Sequence, residues 1–389
     1  MYIIKYLKYY ISTVTLIASF LICFLGEFYP TAFFIGFSLF IILGDVIMKE
    51  DVKKQKFSHI FLLNLPMYIN FPILFFIVLC SVFVLGNSND NSFSNIILNY
   101  FHIDLVFAAQ TINIVDTICL TVLMGLFIGI MGTVPGHELV HRKKKKFDML
   151  MGDWLLAFSW DCAFAVEHVY GHHKNVGLPI DPATAKRGES IYAFIIRAII
   201  NEHRDAWKIE LKQCKKKNKS PIGTHNRLLM GYFKSVFITI ISYIIGGLPG
   251  MLIFLLFSFI AKSFLEVINY SEHYGLIRVD GEPVYPRHSW NSNSTMSSIY
   301  LYNVTRHSSH HEKANLKYWE LESYKTAPMM PQGYLTMLYA ALLTPYFFHR
   351  MMAKKLIDWD ENYASKEERS LAEIQNKKSG ISLLEDHSE

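Results

Sequence analysis

Long apolar runs dominate the pattern of this chain. Four fall in its first third, at residues 10–26, 29–48, 60–86 and 107–134, and two more follow at residues 229–245 and 248–270. Each is long enough to cross about 30 Å of hydrocarbon as a helix. Gly246-Gly247-Leu248-Pro249-Gly250 between the last two reads as a tight helical hairpin. Lys5 and Lys8 precede the first run, but no small-residue cleavage site follows, so a retained span is expected rather than a signal peptide. A further apolar stretch at residues 147–166 is broken by Asp153 and Asp161. Two carboxylates are costly in lipid, which places this stretch at the interface or under the bundle.

The basic residues orient the spans. Lys5 and Lys8, the group Lys49, Lys53, Lys54 and Lys56, the run from Arg142 to Lys146, and Lys215 to Lys217 all fall in alternate connections. The opposite connections, around Glu27 and over residues 87–107, hold no lysine or arginine. By the positive-inside rule this gives six spans with both termini cytoplasmic, and an inner (cytoplasmic) membrane is expected. The expected organisation is an all-α polytopic membrane protein. Four transmembrane helices occupy residues 1–134, a cytoplasmic region residues 135–228 and a transmembrane hairpin residues 229–270. A second cytoplasmic region follows at residues 271–352, then a charged tail at residues 353–389 that packs little.

Composition agrees: 51% of residues are hydrophobic and only 18% charged, too few charges to cover a soluble globule of this size. The five cysteines are scattered and form no CxxC pair, which excludes a disulfide framework and a fused rubredoxin. No nicotinamide or flavin fingerprint is present, so electrons for any redox chemistry must come from another protein. Basic runs that abut membrane spans also argue against a nucleic-acid partner.

Histidine carries the chemistry. Nine of sixteen fall into four groups: His137 and His141; His168, His172 and His173; His273; and His307, His310 and His311. Residues three and four apart share a helix face, so His137/His141, His168/His172 and His307/His310/His311 can each converge on one point. Imidazole suits iron, zinc, copper or nickel. All four groups emerge on the cytoplasmic side, and nine nitrogens exceed what one ion holds, so two metals are expected. The isolated His59, His102, His203, His225, His288, His349 and His387 are read as structural or solvated. His137-Glu138-Leu139-Val140-His141 also matches the HExxH zinc-protease pattern, with Glu138 as base. That remote alternative leaves the two His-His pairs unexplained.

These stretches resemble the integral-membrane alkane 1-monooxygenases, within the histidine-rich membrane fatty acid desaturase and hydroxylase superfamily. The resemblance runs over residues 136–334. It rests on His137-Glu138-Leu139-Val140-His141-Arg142, Glu167-His168-Val169-Tyr170-Gly171-His172-His173, Asp181-Pro182-Ala183-Thr184 and Arg187-Gly188-Glu189-Ser190-Ile191-Tyr192. It continues in Asn269-Tyr270-Ser271-Glu272-His273-Tyr274-Gly275-Leu276, His288-Ser289-Trp290-Asn291-Ser292 and Arg306-His307-Ser308-Ser309-His310-His311. An HxxxHH second box, where acyl desaturases typically have HxxHH, favours the hydroxylase branch. Departures from the alkane hydroxylase pattern at residues 158–164, at Asn303-Val304-Thr305 and at Glu312 bear on substrate and leave the histidines untouched.

The resemblance implies a non-haem di-iron oxidoreductase holding two Fe ions on the nine histidines. It would hydroxylate a terminal methyl of an apolar, n-alkane-type substrate entering from the bilayer. O2 is the co-substrate; one oxygen atom enters the product and the other leaves as water. The two electrons come from a rubredoxin or ferredoxin-type donor and its reductase. An aryl-methyl monooxygenase of the xylene type, or a lipid desaturase or hydroxylase, is the alternative. Glu138, Glu167, Glu272, Asp181 and Asp161 adjoin the ligands and are expected to orient imidazole N–H groups. Arg142, Lys143, Lys144, Lys145 and Lys146 are placed to attract an acidic donor, or else to contact anionic headgroups.

Overall fold

The computed structural model describes residues 4–86 and 91–387. Positions 87–90 of the expected outer loop therefore lie outside the described residues. Among the described residues the chain is helical, with one isolated bridge between Asn291 and Met329 and no strand. Five helices are long and apolar enough to cross a membrane: α1 (Lys5–Cys23), α2 (Tyr29–Ile47), α3 (Ile60–Leu85), α4 (Ile114–Val140) and a 47-residue helix, Arg227–His273. The last bends at Gly247, whose φ of 61° and ψ of −160° are non-helical, so two apolar limbs meet at the expected hairpin. The chain is an integral membrane protein.

The first and fourth spans differ from expectation, the first running over Lys5–Cys23 and not residues 10–26. The fourth span begins at Ile114, where Asn113 caps it and exchanges hydrogen bonds with Asp116, and it runs on through His137 to Val140. The residues expected to start that span form a separate short helix, Leu105–Thr111, capped by Asp104. His137 thus stands in the last turns of the fourth span's own helix and not just past its end.

The chain forms two compact units, with boundaries inside α2 and the 47-residue helix. The first holds residues 1–40, 57–162 and 222–264. Here α1 and α3 are joined by hydrogen bonds from Thr13 to Asn70 at 2.6 Å, from Asn70 to Ser12 at 3.3 Å and from Tyr10 to the Leu62 carbonyl at 2.9 Å. The interfacial stretch is realised as α5 (Lys146–Ala157), which packs on the end of α4. Gly136 and Gly152 face each other across this crossing: a Cβ on Gly152 would lie 3.0 Å from the Gly136 carbonyl oxygen. Small residues permit that close approach. It fixes the helix turn that carries His137.

The second unit comprises residues 41–56, 163–221 and 265–389. It contains α6 (residues 164–175), α7 (Ile191–Lys216), the end of the 47-residue helix (α8, Arg227–His273) and α9 (His307–Glu312). These are followed by α10 (Tyr334–Leu343), α11 (Pro345–Asn362) and α12 (Lys366–Asn376). The chain after Met352 was expected to pack little; instead it is bound into this unit. Arg187 is buried and donates to both oxygens of Asp360 at 2.6 and 2.7 Å, to Asn376 at 2.6 Å and to the Gly275 carbonyl at 3.0 Å. Its planar fork satisfies three segments at once, which a polar composition does not reveal. Ser365 and Glu368 form a reciprocal cap at the start of α12.

Candidate metal centre

Within the second unit, seven histidines collect into two groups. His168, His173 and His310 offer ring nitrogens within 4.8 Å of one another, and so do His172, His273, His307 and His311. In the first group the Nε2 atoms of His168 and His310 lie 3.2 and 3.1 Å from Nε2 of His173. In the second, Nε2 of His307 lies 3.1 Å from that of His273 and 2.9 Å from that of His311. The groups adjoin, with the His173 and His311 rings 4.5 Å apart. In the first unit, His137 and His141 form a pair whose ring centroids are 4.9 Å apart.

This grouping departs from simple helix-face expectations. His168 and His172, four apart, fall into different groups, whereas His168 and His173 meet. The reason is that residues 168–172 form a π turn. A π turn holds more residues than an α turn, so the same-face partner shifts from i+4 to i+5. α9 remains α-helical, and there His307 and His311 meet as expected while His310 turns to the other group.

Metal ligation requires neutral imidazoles with one nitrogen free. His172 meets this condition directly: its Nδ1 lies 2.9 and 3.1 Å from the Asp181 oxygens, and its buried Nε2 has no hydrogen-bond partner. The carboxylate sets the tautomer, placing the proton on Nδ1 and the lone pair on Nε2. Burial opposes the charge on Asp181, but His172, Thr184 and His273 together outweigh it and hold the carboxyl below its ordinary value. His273 directs Nδ1 to the His288 carbonyl at 3.3 Å, and His307 its Nδ1 to the Val304 carbonyl at 3.3 Å. Burial first, and then neighbouring His173, push His311 well below the usual imidazole range, into the neutral form. An orphaned buried nitrogen, backed by a carboxylate and surrounded by converging Nε2 atoms, fits a borderline metal such as iron.

The acidic neighbours divide. Asp181 lies within hydrogen-bond distance of His172 Nδ1. Glu272 Oε2 lies 3.2 Å from Nε2 of His307, at the nitrogen that faces the group and not behind the ring. Glu167 is buried in the turn before His168, with its carboxylate over Gly171. Glu138 and Asp161 depart from the expected role. Glu138 accepts from both Nε and NH2 of Arg142, at 3.0 and 2.7 Å. Asp161 pairs with Lys262 at 2.9 Å, both buried. An arginine-bound carboxylate is poorly suited to be the general base that the HExxH reading needs.

Arg142 also reaches Asn64 at 2.7 Å and Asp148 at 3.0 Å and is 3% exposed. It is therefore a packing residue, whereas Lys143, Lys144, Lys145 and Lys146 remain exposed. One contributor went unnoticed in the sequence. Arg278 donates to the carbonyls of Val176 at 2.7 Å, Lys174 at 2.6 Å and Glu282 at 2.6 Å, clamping the segment that follows His173. Its only sequence signal is position, five residues past His273. The isolated His288 is buried against Glu368 at 2.7 Å, and His349 accepts or donates at 2.5 Å with Tyr274, both as structural residues.

Comparison with known proteins places this geometry in a family. The fatty acid desaturase family model matches residues 117–341, which contain all nine clustered histidines. Alkane 1-monooxygenase 2 of Alcanivorax borkumensis is 36% identical over 63% of this chain and 65% of its own length. Alkane 1-monooxygenase 1 of Pseudomonas aeruginosa is 39% identical over 57% of this chain and 59% of its own length. The xylene/toluene monooxygenase hydroxylase component XylM of Pseudomonas putida is 31% identical over 87% of this chain and 86% of its own length. The chain thus spans about 60–65% of the length of the alkane 1-monooxygenases it matches. By the family match and the XylM alignment together, the chain belongs to the fatty acid desaturase family.

Proposed function

We propose that this protein is a membrane di-iron monooxygenase that hydroxylates a terminal methyl group of an n-alkane-type substrate, using O2 and electrons from a rubredoxin or ferredoxin-type donor. The observation that carries the reading is the pair of histidine groups with the free, Asp181-backed nitrogen of His172. His168, His173 and His310 would hold one iron and His172, His273, His307 and His311 the other, with His137 and His141 completing the nine. When bound, the iron pair supplies the reduction of O2 needed to attack an unactivated C–H bond. The chain's own residues keep the imidazoles neutral, orient them through Asp181 and the carbonyls of His288 and Val304, and exclude water by burial. Glu272, buried beside His307, places a carboxyl oxygen 3.2 Å from the His307 nitrogen that would face the metal. The apolar helices offer a lipid-soluble substrate a route from the bilayer, and exposed Lys143, Lys144, Lys145 and Lys146 suit an acidic donor. The reading further places the protein in the inner membrane with both termini cytoplasmic.

A second reading is favoured by one observation: the xylene/toluene component aligns over 87% of this chain, further than the alkane enzymes do. In that reading the methyl group is benzylic. The deciding experiment measures iron in the detergent-purified protein and products from octane and xylene with a reconstituted donor and reductase. About two irons per chain with octanol formed supports the first reading; benzylic alcohol alone supports the second. One zinc per chain and no oxygenated product would overturn both. His172→Ala and His310→Ala should lose iron and turnover, while His203→Ala, whose Nδ1 hydrogen-bonds the Ile199 carbonyl of its own helix at 2.9 Å, should keep both.

A further inference from the structure

The second unit contains a cavity of about 510 Å³ that belongs to no part of the metal site. Its lining includes Tyr346, His349, Arg350, Lys354, Ser382 and Asp386. Tyr346, Arg350 and Lys354 are spaced by four and so share one face of α11. Neither Arg350 nor Lys354 has a carboxylate partner among the described residues, and both are exposed. Among the described lining residues, the acid facing them is Asp386. His349 is held by Tyr274, and its burial keeps it below the ordinary imidazole value, so the cavity carries a small net positive charge.

Its position in the unit is fixed by aromatic packing. Phe348 lies 5.3 Å from Tyr270 and 5.4 Å from Tyr274, at the end of α8, the last apolar helix. The end of a membrane helix marks the water interface. α7 joins the same place, with Phe194 5.2 Å from Tyr270 and the Tyr192 hydroxyl donating to the Leu342 carbonyl at 2.7 Å. Around this point large apolar side chains stand uncovered: Tyr192, Ile196, Leu343, Tyr346 and Phe347, with Leu343 74% and Tyr346 71% exposed. An aromatic and aliphatic rim followed along one helix by basic residues is the arrangement that lies in a bilayer interface. From Tyr346 to Lys354 the helix rises about 12 Å, enough to pass from acyl chains to headgroups.

We propose that this cavity binds the phosphodiester headgroup of an anionic phospholipid. Arg350 and Lys354 pair with the phosphate, Ser382 offers a hydroxyl to the headgroup, and the rim at Leu343, Tyr346 and Phe347 takes the acyl chains. The site anchors α10 and α11, and through Tyr270 and Tyr274 it borders the helix that ends in His273. Binding is non-covalent and independent of the reaction at the metal site.

The test uses the full chain in detergent, incubated with equal phosphatidylglycerol and phosphatidylcholine and read by native mass spectrometry. The wild type should retain phosphatidylglycerol preferentially. Arg350→Gln with Lys354→Gln should reduce that retention about 30-fold, as expected for two cations removed beside an anionic lipid. The variant should keep its iron content and melting temperature, since both side chains are exposed. A control pair on α7, Lys215→Gln with Lys216→Gln, should retain the lipid. Unchanged phosphatidylglycerol retention in the Arg350/Lys354 variant overturns the site. So does an equal loss in the control pair, or competition by soluble glycerol phosphate as strong as by the lipid.

Discussion

Removing Asp181 tests the metal centre without touching a ligand. Both of its oxygens lie within hydrogen-bond range of His172 Nδ1, at 2.9 and 3.1 Å, in a fully buried setting. Asp181→Ala leaves a buried N–H without an acceptor, a cost of about 1–3 kcal/mol. At about 1.4 kcal/mol per factor of ten this corresponds to roughly 5- to 150-fold in iron affinity, if the ring is free to rotate or change tautomer. The independent expectation for a carboxylate behind a metal-bound histidine is about 10- to 100-fold, and the two ranges agree. Asp181→Asn keeps an acceptor oxygen but loses the charge, so its effect should fall near the lower end. Thr184 donates to Asp181 at 2.6 Å and accepts from the Gly177 N–H at 3.0 Å, which gives a control. Thr184→Val should lower thermal stability with little change in iron affinity. The assay is competition for ferrous iron against a calibrated chelator, with the apo-protein melting temperature measured in parallel. Iron affinity within twofold of wild type in Asp181→Ala would refute the tautomer-fixing role. A loss in Thr184→Val as large as in Asp181→Ala would reduce Asp181 to a packing residue.

Three further perturbations probe the supporting structure. Arg187→Ala strands buried Asp360 without its cation and should cost about 3–5 kcal/mol in unfolding measurements; Arg187→Lys should rescue little, because an ammonium cannot reproduce the fork to Asp360, Asn376 and Gly275. Burial works to raise the Glu368 carboxyl, but His288 and Arg287 overcome it and bring it down to about 2. A carboxylate depressed on folding adds stability above its unfolded value, and that stability is lost as pH falls through the folded one. The advantage of wild type over Glu368→Gln, followed by melting temperature, should therefore be full above about pH 5 and shrink toward pH 2. Lys262→Met leaves Asp161 charged and buried, and should destabilise by about 3–5 kcal/mol, whereas Lys262→Met with Asp161→Asn should recover at least half of that; no recovery in the double variant would mean that the pair does not act as a unit.

What the sequence made legible follows the range over which its physics acts. Apolar runs announce membrane helices because lipid imposes one length and one composition, and each expected run meets one of five such helices or a limb of the one broken at Gly247, with the ends of the first and fourth displaced. The His307/His311 contact was legible because α9 keeps the α-helical period. The partners of His168 were not. HxxxHH offers both a four- and a five-residue spacing, and only the π turn over residues 168–172 selects the second. The chain after Met352 looked like a tail because its charges were counted as solvated, although Arg187 lies 173 residues from Asp360 and turns that carboxylate into a buried anchor.

The carboxylates beside the histidines show the same limit and give a rule for reading it. A buried carboxylate needs donors, so its role is decided by whichever donor the fold brings to it and not by its neighbour in the chain. Glu138 sits next to a metal-box histidine but one helical turn before Arg142, and the guanidinium takes it; this i,i+4 pair was visible in the sequence. Asp161 meets Lys262, 101 residues away, which no local pattern reveals. Asp181 is turned to His172 by a loop in which Thr184 and the Ala183 N–H supply its remaining donors. Adjacency to a histidine box therefore identifies the acids worth weighing. The nearest competing cation decides which of them is left to orient a ligand, and by that criterion Asp181 is the carboxylate whose removal should be felt at the metal first.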